Sequence, residues 1–330
     1  MFTSNHIPVA DLSSVGEARR MGGRMAAELG FDETRAGELA IIITEAARNT
    51  FVHGRGGQII LSGRKSEEHA CIDVIALDKG PGITDISRAI SDGYSTSGTS
   101  GTGLGAIRRL AADFEIFSTK QGTALFARLE TKPGSRESLK ICAFAIPVAG
   151  ERLCGDAVCC FQQPGKTVVL NVDGLGHGSE AAAAAQEAVR IFELNSMRSP
   201  GEILVRIHEA LKKTRGAAAA VAEISPLPGT LVYAGVGNIS GVVLSKTVGR
   251  NMVSHNGTLG HVMPRVQEFK VDWPRDGILI MHSDGLQTRW DLSTYPGLLA
   301  RKPALIGGIL FRDFQRLRDD GSVAVVKGGG

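Results

Sequence analysis

The chain has 330 residues, of which 43% are hydrophobic, and its 37 basic and 34 acidic residues give a formal net charge of +3. This near balance excludes a polybasic protein, so we expect neither nucleic acid nor a membrane as a partner. No basic flank precedes an apolar leader and no apolar run reaches spanning length, which predicts a cytoplasmic protein. The length suffices for two domains.

The first half of the chain predicts helices followed by strands. Apolar and alanine residues recur at helical spacing over residues 15–29 and 32–52, and glycines end both patterns. Strands are predicted at residues 58–62, 70–77 and 123–130. The segment between the last two reads as a glycine-rich loop, a helix and a further strand.

A polar segment with a Pro-Gly pair, residues 131–138, predicts a linker. We therefore place a domain boundary near Gly134, which gives domains at residues 1–134 and 135–330. The second domain alternates short strands with helices. Its predicted elements are strands at 139–147, 157–161 and 167–172, helices at 179–195 and 201–215, a strand-rich block at 217–281, a helix at 303–318 and a strand at 322–327.

Two motifs in the first half bear residues suited to nucleotide binding. Glu45 and Asn49 are four residues apart, so both project from one helical face. The Asn49 amide oxygen could bind Mg²⁺ that bridges phosphates, and Glu45 could deprotonate a hydroxyl. Asp78 follows a strand and could accept a hydrogen bond from the adenine amine, while Gly80 and Gly82 would let the loop approach the base.

The third motif is a GTGLG run that opens a helix, where exposed backbone amides and the helix dipole can hold an anion. Its members are Gly101, Thr102, Gly103, Leu104 and Gly105. Each motif alone has an ordinary interpretation as a polar helix face, a turn or a weak phosphate signal. Their order along the chain favours a nucleotide site.

The segments TEAARNTFVHG, DKGPGI and SGTSGTGLGAIRRL resemble the N, G1 and G2 boxes of the GHKL (Bergerat) ATPase fold, in particular the RsbT-like anti-sigma or switch serine kinases. The resemblance covers about residues 5–130. It implies a GHKL α/β sandwich in which Asn49 holds Mg²⁺, Glu45 is the base, Asp78 contacts adenine and Gly101–Gly105 form the phosphate loop. Kinases of this type phosphorylate Ser or Thr on a STAS-domain protein, and some bind and activate a phosphatase.

Four aspartates in the second half lie where a predicted strand meets a turn: Asp156, Asp173, Asp284 and Asp319. Each alone is most simply a turn or cap residue. Brought together, two carboxylates about 4 Å apart would repel by roughly 4 kcal/mol at an effective dielectric of 20, so a cluster implies cations. All-oxygen ligation favours Mg²⁺ or Mn²⁺ over zinc. Two ions sharing Asp173 would hold and acidify a water for in-line attack on a phosphate ester.

Other residues near these aspartates carry weaker predictions. His177 could be a general acid, but a histidine in a glycine-rich turn is as often a backbone hydrogen-bond partner. His255 and His282 are expected to be structural, and Asp320 to support Asp319.

The segments CGDAV, NVDGLGHG, YAGVGNISG, MHSDGLQ and RDDGSVAVV resemble the SpoIIE-type (PPM family) metal-dependent serine/threonine phosphatases, most closely the RsbX-like ones, over about residues 139–327. The resemblance implies an α/β/β/α sandwich. It assigns metal-ligand positions to Asp156, Asp173, Asp284 and Asp319, adds the Gly174 carbonyl as a further ligand, and makes Asn238 a structural contact. Cysteines follow Asp156 where many such chains have a second acid, and no arginine is evident as a phosphate clamp.

Together these features predict a kinase-phosphatase fusion that regulates a bacterial stress response by partner switching. The cofactors would be ATP with Mg²⁺ in the first half and two Mn²⁺ or Mg²⁺ ions in the second. STAS-domain proteins would be the substrates, another phosphatase or sigma-pathway regulator a further partner, and a homodimer is compatible with the chain. In one alternative the GHKL half only senses ATP or docks a partner. In another both sites are degenerate and the chain is a scaffold, which the intact set of ligands disfavours.

Overall fold

The computed structural model describes residues 1–66, 69–91, 103–132, 139–245, 249–263 and 265–328. They form two compact units, neither of which is continuous in sequence. The first unit comprises Thr3–Arg136 with Asp291–Arg312, and the second comprises Met1–Phe2, Glu137–Trp290 and Asp313–Gly330. Residues 291–312 therefore join the first unit, although the predicted domain limits assign them to the second. Gly134 lies outside the described residues, and the boundary there stays a prediction.

The first unit contains one five-stranded sheet in the order β1-β2-β3-β5-β4. Its strands are β1 (Phe2–Val9), β2 (Gly57–Lys65), β3 (Ala70–Asp78), β4 (Asp113–Thr119) and β5 (Gly122–Glu130). Its helices from the N-terminal part are α1 (Leu12–Leu29), α2 (Glu33–Val52), α3 (Ile86–Ile90) and α4 (Gly103–Leu110). Sequence periodicity did not predict β1, because the polar run Thr3, Ser4 and Asn5 separates its apolar residues and leaves only Ile7 and Val9 in alternation.

Side-chain caps define the two long helices of this unit. The Asp11 carboxylate accepts a hydrogen bond from the Ser14 N–H at 3.0 Å at the start of α1, and Gly30, with a φ of 82°, ends that helix. Asp32 caps α2 in the same way through the Arg35 N–H at 2.7 Å. Both helices bury their apolar faces against one face of the sheet, which makes the first hydrophobic core.

The second unit contains two five-stranded sheets, ordered β13-β10-β9-β8-β7 and β12-β11-β14-β15-β6. The strands are β6 (Leu139–Ile146), β7 (Asp156–Gln163), β8 (Lys166–Gly174), β9 (Ala217–Ser225), β10 (Thr230–Val236), β11 (Ser240–Leu244), β12 (Gly249–Asn251), β13 (Phe269–Asp272), β14 (Ile278–His282) and β15 (Gly321–Gly328). The remaining helices are α5 (Ser179–Asn195), α6 (Pro200–Leu211) and α7 (Pro303–Phe314).

Two apolar layers hold the second unit together. Helices α5 and α6 pack on the β7–β8–β9 sheet, and the inner faces of the two sheets form a separate core. A capping box starts α6, where the Ser199 hydroxyl and the Glu202 carboxylate each accept from the other's backbone N–H. The order helix, sheet, sheet gives three of the four layers of the predicted α/β/β/α sandwich.

Most of α7 lies in the first unit, on the sheet face opposite α1 and α2. Ala76 of β3 belongs to the core under those helices. Side chains alternate along a strand, so Ile75 and Leu77, on either side of Ala76, point to the opposite face. Gly308 of α7 lies so close to them that a Cβ there would be 2.9 Å from Leu77 Cδ2 and 3.1 Å from Ile75 Cγ2. A segment distant in sequence thus covers this face. Among the helices of the described residues, none is both long and apolar enough to cross a membrane.

Two adjacent glycines of α1 test its packing on α2. A Cβ at Gly23 would meet no atom within 4 Å, whereas one at Gly22 would collide with the Ile43 δ-methyl and lie 3.7 Å from Leu61 Cδ1. We expect Gly23→Ala to stabilise the first unit by about 0.5–1 kcal/mol, since alanine favours the helix. Gly22→Ala should instead destabilise it by about 1 kcal/mol through overpacking. Urea denaturation followed by far-ultraviolet circular dichroism measures both, and equal effects would contradict this packing.

Candidate functional sites

The first candidate site lies where α2 meets the start of α4. Glu45 and Asn49 are half-buried on the same face of α2, as their spacing predicted. Gly103, the first residue of α4, packs against both: a Cβ at this position would overlap Glu45 Oε2 and lie 3.8 Å from Asn49 Nδ2. A residue with a side chain at this position would require the Glu45 carboxylate to shift. Two of the three predicted nucleotide motifs are therefore adjacent in space.

The Asn49 amide is an unsatisfied polar group at this junction. Its Nδ2 is buried and has no hydrogen-bond partner among the described residues. Buried polar atoms in folded proteins are almost always paired, so an orphan requires an explanation. The amide can rotate to present either its nitrogen or its oxygen. The group thus fits a bound Mg²⁺ or phosphate.

Asp78 is the last residue of β3, the strand that lies between β2 and β5. Its Oδ1 accepts hydrogen bonds from the Gly80 N–H at 2.8 Å and the Thr123 N–H at 3.1 Å. Because both bonds use Oδ1, Oδ2 is the oxygen suited to an adenine amine. Burial raises the pKa of Asp78, and the two N–H donors oppose that shift. Gly82 has a φ of 79°, a left-handed conformation that glycine adopts without strain.

The glycine-rich loop is only partly described. Gly101 and Thr102 lie outside the described residues, whereas Gly103, Leu104 and Gly105 form the first turn of α4. The helix therefore begins within the motif, as expected for an anion site. The phosphate-binding role of the five residues, like the roles of Glu45, Asn49 and Asp78, stays a prediction.

The second candidate site gathers the aspartates that are distant in sequence. Asp156 begins β7 and is the direct cross-strand partner of Asp173 in β8. Asp284 follows β14 and Asp319 precedes β15. These two strands are neighbours in the sheet that does not contain β7 and β8. Because all four are at strand ends of the two packed sheets, their carboxylates share one region of the unit.

The electrostatics of Asp156 and Asp173 show how close this grouping is. Burial raises the pKa of Asp156 to about 7, although hydrogen bonds from Ser283 and Ser322 oppose the shift. Burial also raises the pKa of Asp173 to about 9, with further contributions from the negative charges of the other aspartates. These are the shifts expected of carboxylates that lack a compensating cation. The arrangement therefore favours a positively charged ligand.

Two observations bear on whether divalent metal ions fit. Asp156 Oδ2 is buried without a hydrogen-bond partner in the described chain. However, no three His, Cys, Asp or Glu side chains among the described residues are already arranged to hold one ion. Mg²⁺ keeps several water ligands and needs only one or two direct carboxylates. The donor set, all oxygen and unpaired at Asp156, fits Mg²⁺ or Mn²⁺ with water completing the coordination.

Asp320 fastens the loops around this cluster. Its Oδ1 accepts from the Val148 N–H at 2.7 Å and its Oδ2 from the Gly155 N–H at 2.6 Å. Asp319 Oδ1 in turn accepts from the Asp320 N–H at 2.9 Å. Asp320 is therefore committed to backbone donors. It positions the loop that precedes Asp156, a role broader than the predicted support of Asp319.

The glycines next to Asp173 and Asp284 are required by close backbone approach. A Cβ at Gly174 would overlap the Ala181 carbonyl of α5, and one at Gly285 would overlap the Asp320 carbonyl. The Gly174 N–H also donates to the Gly155 carbonyl at 3.0 Å. These contacts draw the aspartate-bearing turns together, and only residues without a side chain permit them.

Polar neighbours orient two of the remaining residues. Asn238 Nδ2 donates to Asp284 Oδ2 at 2.7 Å, which is the contact expected of it. His177 Nδ1 lies 2.8 Å from Glu151 Oε1, and the pair is largely solvent-accessible. This places His177 beside a carboxylate and does not test its role as an acid.

The other two histidines make packing contacts. The Trp290 indole N–H donates to His282 Nε2 at 3.1 Å, and burial lowers the pKa of His282. The His255 ring stacks on Phe269 with ring centroids 6.0 Å apart. Both arrangements agree with the structural roles expected of these histidines.

Sequence reasoning missed one arginine beside the phosphatase-like turn. Arg215, between α6 and β9, forms an ion pair with Glu180, and a Cβ at Gly176 would lie 3.2 Å from its Nη1. The Leu175 N–H donates to the Gly216 carbonyl at 3.0 Å, which joins the two loops. About 40 residues separate Arg215 from Asp173, so no local motif could reveal this proximity.

Comparison with known families gives a match in each half of the chain. The family described as histidine kinase-like ATPase domain matches residues 9–129, and stage II sporulation protein E (SpoIIE) matches residues 163–300. The serine/threonine-protein kinase RsbT of Bacillus subtilis (strain 168) is 37% identical over 111 residues, which are 33% of this chain and 84% of that protein. The phosphoserine phosphatase RsbX of the same organism is 24% identical over 155 residues, 46% of this chain and 76% of that protein.

Solved structures show the same relationships. One, described as the bacterial stressosome, a modular system adapted to control secondary messenger signaling, has a TM-score of 0.54 and 29% identity over 58% of this chain and 100% of that one. RsbX in complex with magnesium has a TM-score of 0.51 and 16% identity, covering 66% of this chain and 100% of that one. The second likeness shows the fold alone.

These matches confirm the predicted fold class, a GHKL-like ATPase domain and a PPM-type phosphatase domain in a mixed α/β chain. The pairing of the two is an architecture of stressosome-type partner switching. The chain therefore belongs to the family of the serine/threonine-protein kinase RsbT, as an enzyme in which an RsbT-like ATPase domain precedes a SpoIIE-type serine/threonine phosphatase domain.

Proposed function

We propose that this chain is a bifunctional regulator that both phosphorylates and dephosphorylates STAS-domain proteins in a bacterial stress-response pathway. The observation that most supports it is the group of buried carboxylates around Asp173, because burial and the neighbouring negative charges raise the pKa of that carboxyl and a bound cation would offset both effects. A separate nucleotide-type site in the other unit supports the opposing activity. The relatives RsbT and RsbX are named as a kinase and a phosphoserine phosphatase, so the fusion would act in both directions on one class of substrate.

In the kinase reaction, the N-terminal site would hold ATP with Mg²⁺. Asp78 would accept from the adenine amine, with Gly80 and Gly82 shaping the loop around the base. Asn49 would hold Mg²⁺ against the phosphates, and the Gly101–Gly105 amides would neutralise their charge. Glu45 would take the proton of the substrate hydroxyl. The hydroxyl oxygen would bond to the γ-phosphorus as the bond to ADP breaks. The position of Glu45 beside Gly103 supports this role.

In the phosphatase reaction, the C-terminal site would use Asp156, Asp173, Asp284, Asp319 and the Gly174 carbonyl to hold two Mn²⁺ or Mg²⁺ ions. When bound, such ions would supply a water of lowered pKa that attacks the phosphate ester. Asp173, which faces Asp156 across the strand pair, is the best placed to serve both ions. Asn238 would orient Asp284 through its hydrogen bond, and Asp320 would hold the loop before Asp156.

Replacing Asp173 should separate the two activities. We expect Asp173→Asn to lower phosphatase activity by at least about 100-fold, because it removes the proposed shared ligand, and to leave ATP binding unchanged. Release of phosphate from a phosphoserine peptide and binding of a fluorescent ATP analogue measure the two properties. Asp272→Asn, the same change on an exposed strand residue, is the control. Equal loss of both properties would contradict two independent sites.

Metal binding and pH should be linked with a defined sign. The pKa values of Asp156 and Asp173 lie at about 7 and about 9 in the metal-free fold, above the usual 3.8, so the folded state binds protons that the unfolded state has lost. Metal-free stability should therefore fall as pH rises from about 4 to about 9. Mn²⁺ must displace those protons, so its affinity should rise over the same range.

Thermal unfolding at several pH values, with and without Mn²⁺, measures this linkage. At about 100 times its dissociation constant, Mn²⁺ should stabilise the second unit by roughly 2.7 kcal/mol. The stabilisation at a fixed Mn²⁺ concentration should be greater at high pH than at low pH. Absence of any Mn²⁺-dependent shift across the pH range would argue against the metal site.

The kinase assignment is best tested where the phosphatase cannot erase the product. In an Asp173→Asn background, radiolabelled ATP should label Ser or Thr of a cognate STAS-domain protein. Adding Glu45→Ala should lower labelling by about 100-fold or more while the ATP analogue still binds, since general base catalysis contributes that much. Glu17→Ala on exposed α1 is the matched control. ATP binding without any labelling would instead favour the alternative of an ATP-sensing or docking module.

A further inference from the structure

A second concave site exists in the first unit, apart from the nucleotide residues on α2 and α4. It is an open pocket of about 650 Å³ at the end of β1, β2 and β3. The residues that bear on its chemistry are His6, Arg55, Asp78, Lys79, Lys120 and Arg312. We refer to it as the basic pocket, because four of these six side chains are permanently cationic.

Strand alternation places the basic pocket on the far face of the sheet. Ile7 and Val9 of β1 belong to the core under α1 and α2, so His6 and Pro8, which alternate with them along the strand, face the other side of the sheet. His6 accordingly contacts Gln58 at 2.6 Å and the Phe311 ring of α7 at 6.0 Å between centroids. Glu45 and Asn49 lie on the helix side. The basic pocket thus lies on the sheet face opposite Glu45 and Asn49, although its lining includes Asp78 and Gly80 of the predicted adenine contacts.

The residues that line this pocket include more cationic than anionic side chains. Arg55, Lys79, Lys120 and Arg312 contribute four positive charges, against one carboxylate at Asp78. That carboxylate already accepts from the Gly80 and Thr123 N–H groups. Burial lowers the pKa of His6, so this residue adds a neutral polar group. An anion with more than one charge would complement such a lining.

The protein holds two of the cations in defined positions. Arg312 Nη1 donates to the Asp78 carbonyl at 2.8 Å, and a Cβ on Gly122 would lie 2.9 Å from that nitrogen. Arg55 has a φ of 60°, the single left-handed residue other than glycine in the described chain. Such a conformation is unfavourable for a residue with a side chain and is often retained at binding sites. The hydrogen bond of Arg312 and the left-handed backbone of Arg55 both fix the position of a cationic residue, as in a preorganised anion site.

We propose that the basic pocket binds a small phosphate-bearing metabolite on the sheet face opposite Glu45 and Asn49. Its volume lies within the range of about 300–1,000 Å³ typical of small-molecule sites. Guanidinium groups match phosphate geometry through paired N–H donors, and lysines add point charges. Arg312 reaches this pocket only because residues 291–312 fold into the first unit. The site therefore depends on the fused C-terminal part of the chain.

Inorganic pyrophosphate is the probe, titrated into the full chain by isothermal calorimetry with chelator present to exclude divalent metals. Arg55→Gln combined with Lys120→Gln should weaken binding at least about tenfold, the effect of losing one charge-assisted hydrogen bond. The charge-matched control, Arg19→Gln with Arg24→Gln on exposed α1, should change the affinity by less than about twofold. Asn49→Ala should leave this binding event in place, because it alters only the nucleotide site.

Four outcomes would overturn the proposal. Unchanged affinity in the Arg55 and Lys120 double variant would exclude the basic pocket as the site. Equal weakening in the control would indicate attraction to overall charge, and complete loss in Asn49→Ala would place pyrophosphate in the nucleotide site. Binding of a phosphoserine peptide without binding of pyrophosphate would show that the ligand is a protein. Circular dichroism of each variant confirms that it is folded.

Discussion

The burial of neighbouring carboxylates is the constraint that shapes the second unit. Cross-strand pairing sets Asp156 directly opposite Asp173, and burial is the largest cause of their raised pKa values, to which the charges of the neighbouring aspartates add. Replacing such carboxylates with apolar residues would cost the fold little stability. Binding a cation is one function that would retain them. The backbone amides bound by Asp320 and the close approach at Gly174 hold the loops in this arrangement. The unit thus contains a group of buried carboxylates that is unfavourable by itself and that a bound cation would stabilise.

The first unit depends instead on a segment distant in sequence, residues 291–312, which packs within it. Residues 291–312 bring α7 onto the sheet face that α1 and α2 leave uncovered. The Lys302 N–H donates to Glu115 at 2.8 Å, and the Lys302 ammonium lies 2.8 Å from Asp113. These contacts fasten the segment to β4. One consequence is that the kinase-like part does not end where the predicted linker begins, so a truncation near Gly134 would expose apolar side chains of β3.

Much of both sites was accessible from the sequence, because local spacing carries the information. Helical periodicity predicted the Glu45 and Asn49 face, and glycine-flanked aspartates predicted strand-end ligands. Periodicity failed for β1, whose only signal is a short alternation. It also extended α6 to Arg215, where the helix in fact ends at Leu211 and leaves that arginine in a loop. Helix ends depend on which backbone groups find partners, which local spacing does not specify.

The sequence by itself determined the two kinds of domain, the order of their motifs and the identity of the residues bearing chemistry. Only the tertiary structure decided which of those residues meet. Strand pairing brings Asp156 opposite Asp173. The packing of two loops brings Arg215 near Gly176, and the position of α7 brings Arg312 to the Asp78 carbonyl. The physical reason is that motifs report interactions within a few residues, whereas sheet register, close packing at glycines and electrostatic grouping arise between segments far apart along the chain.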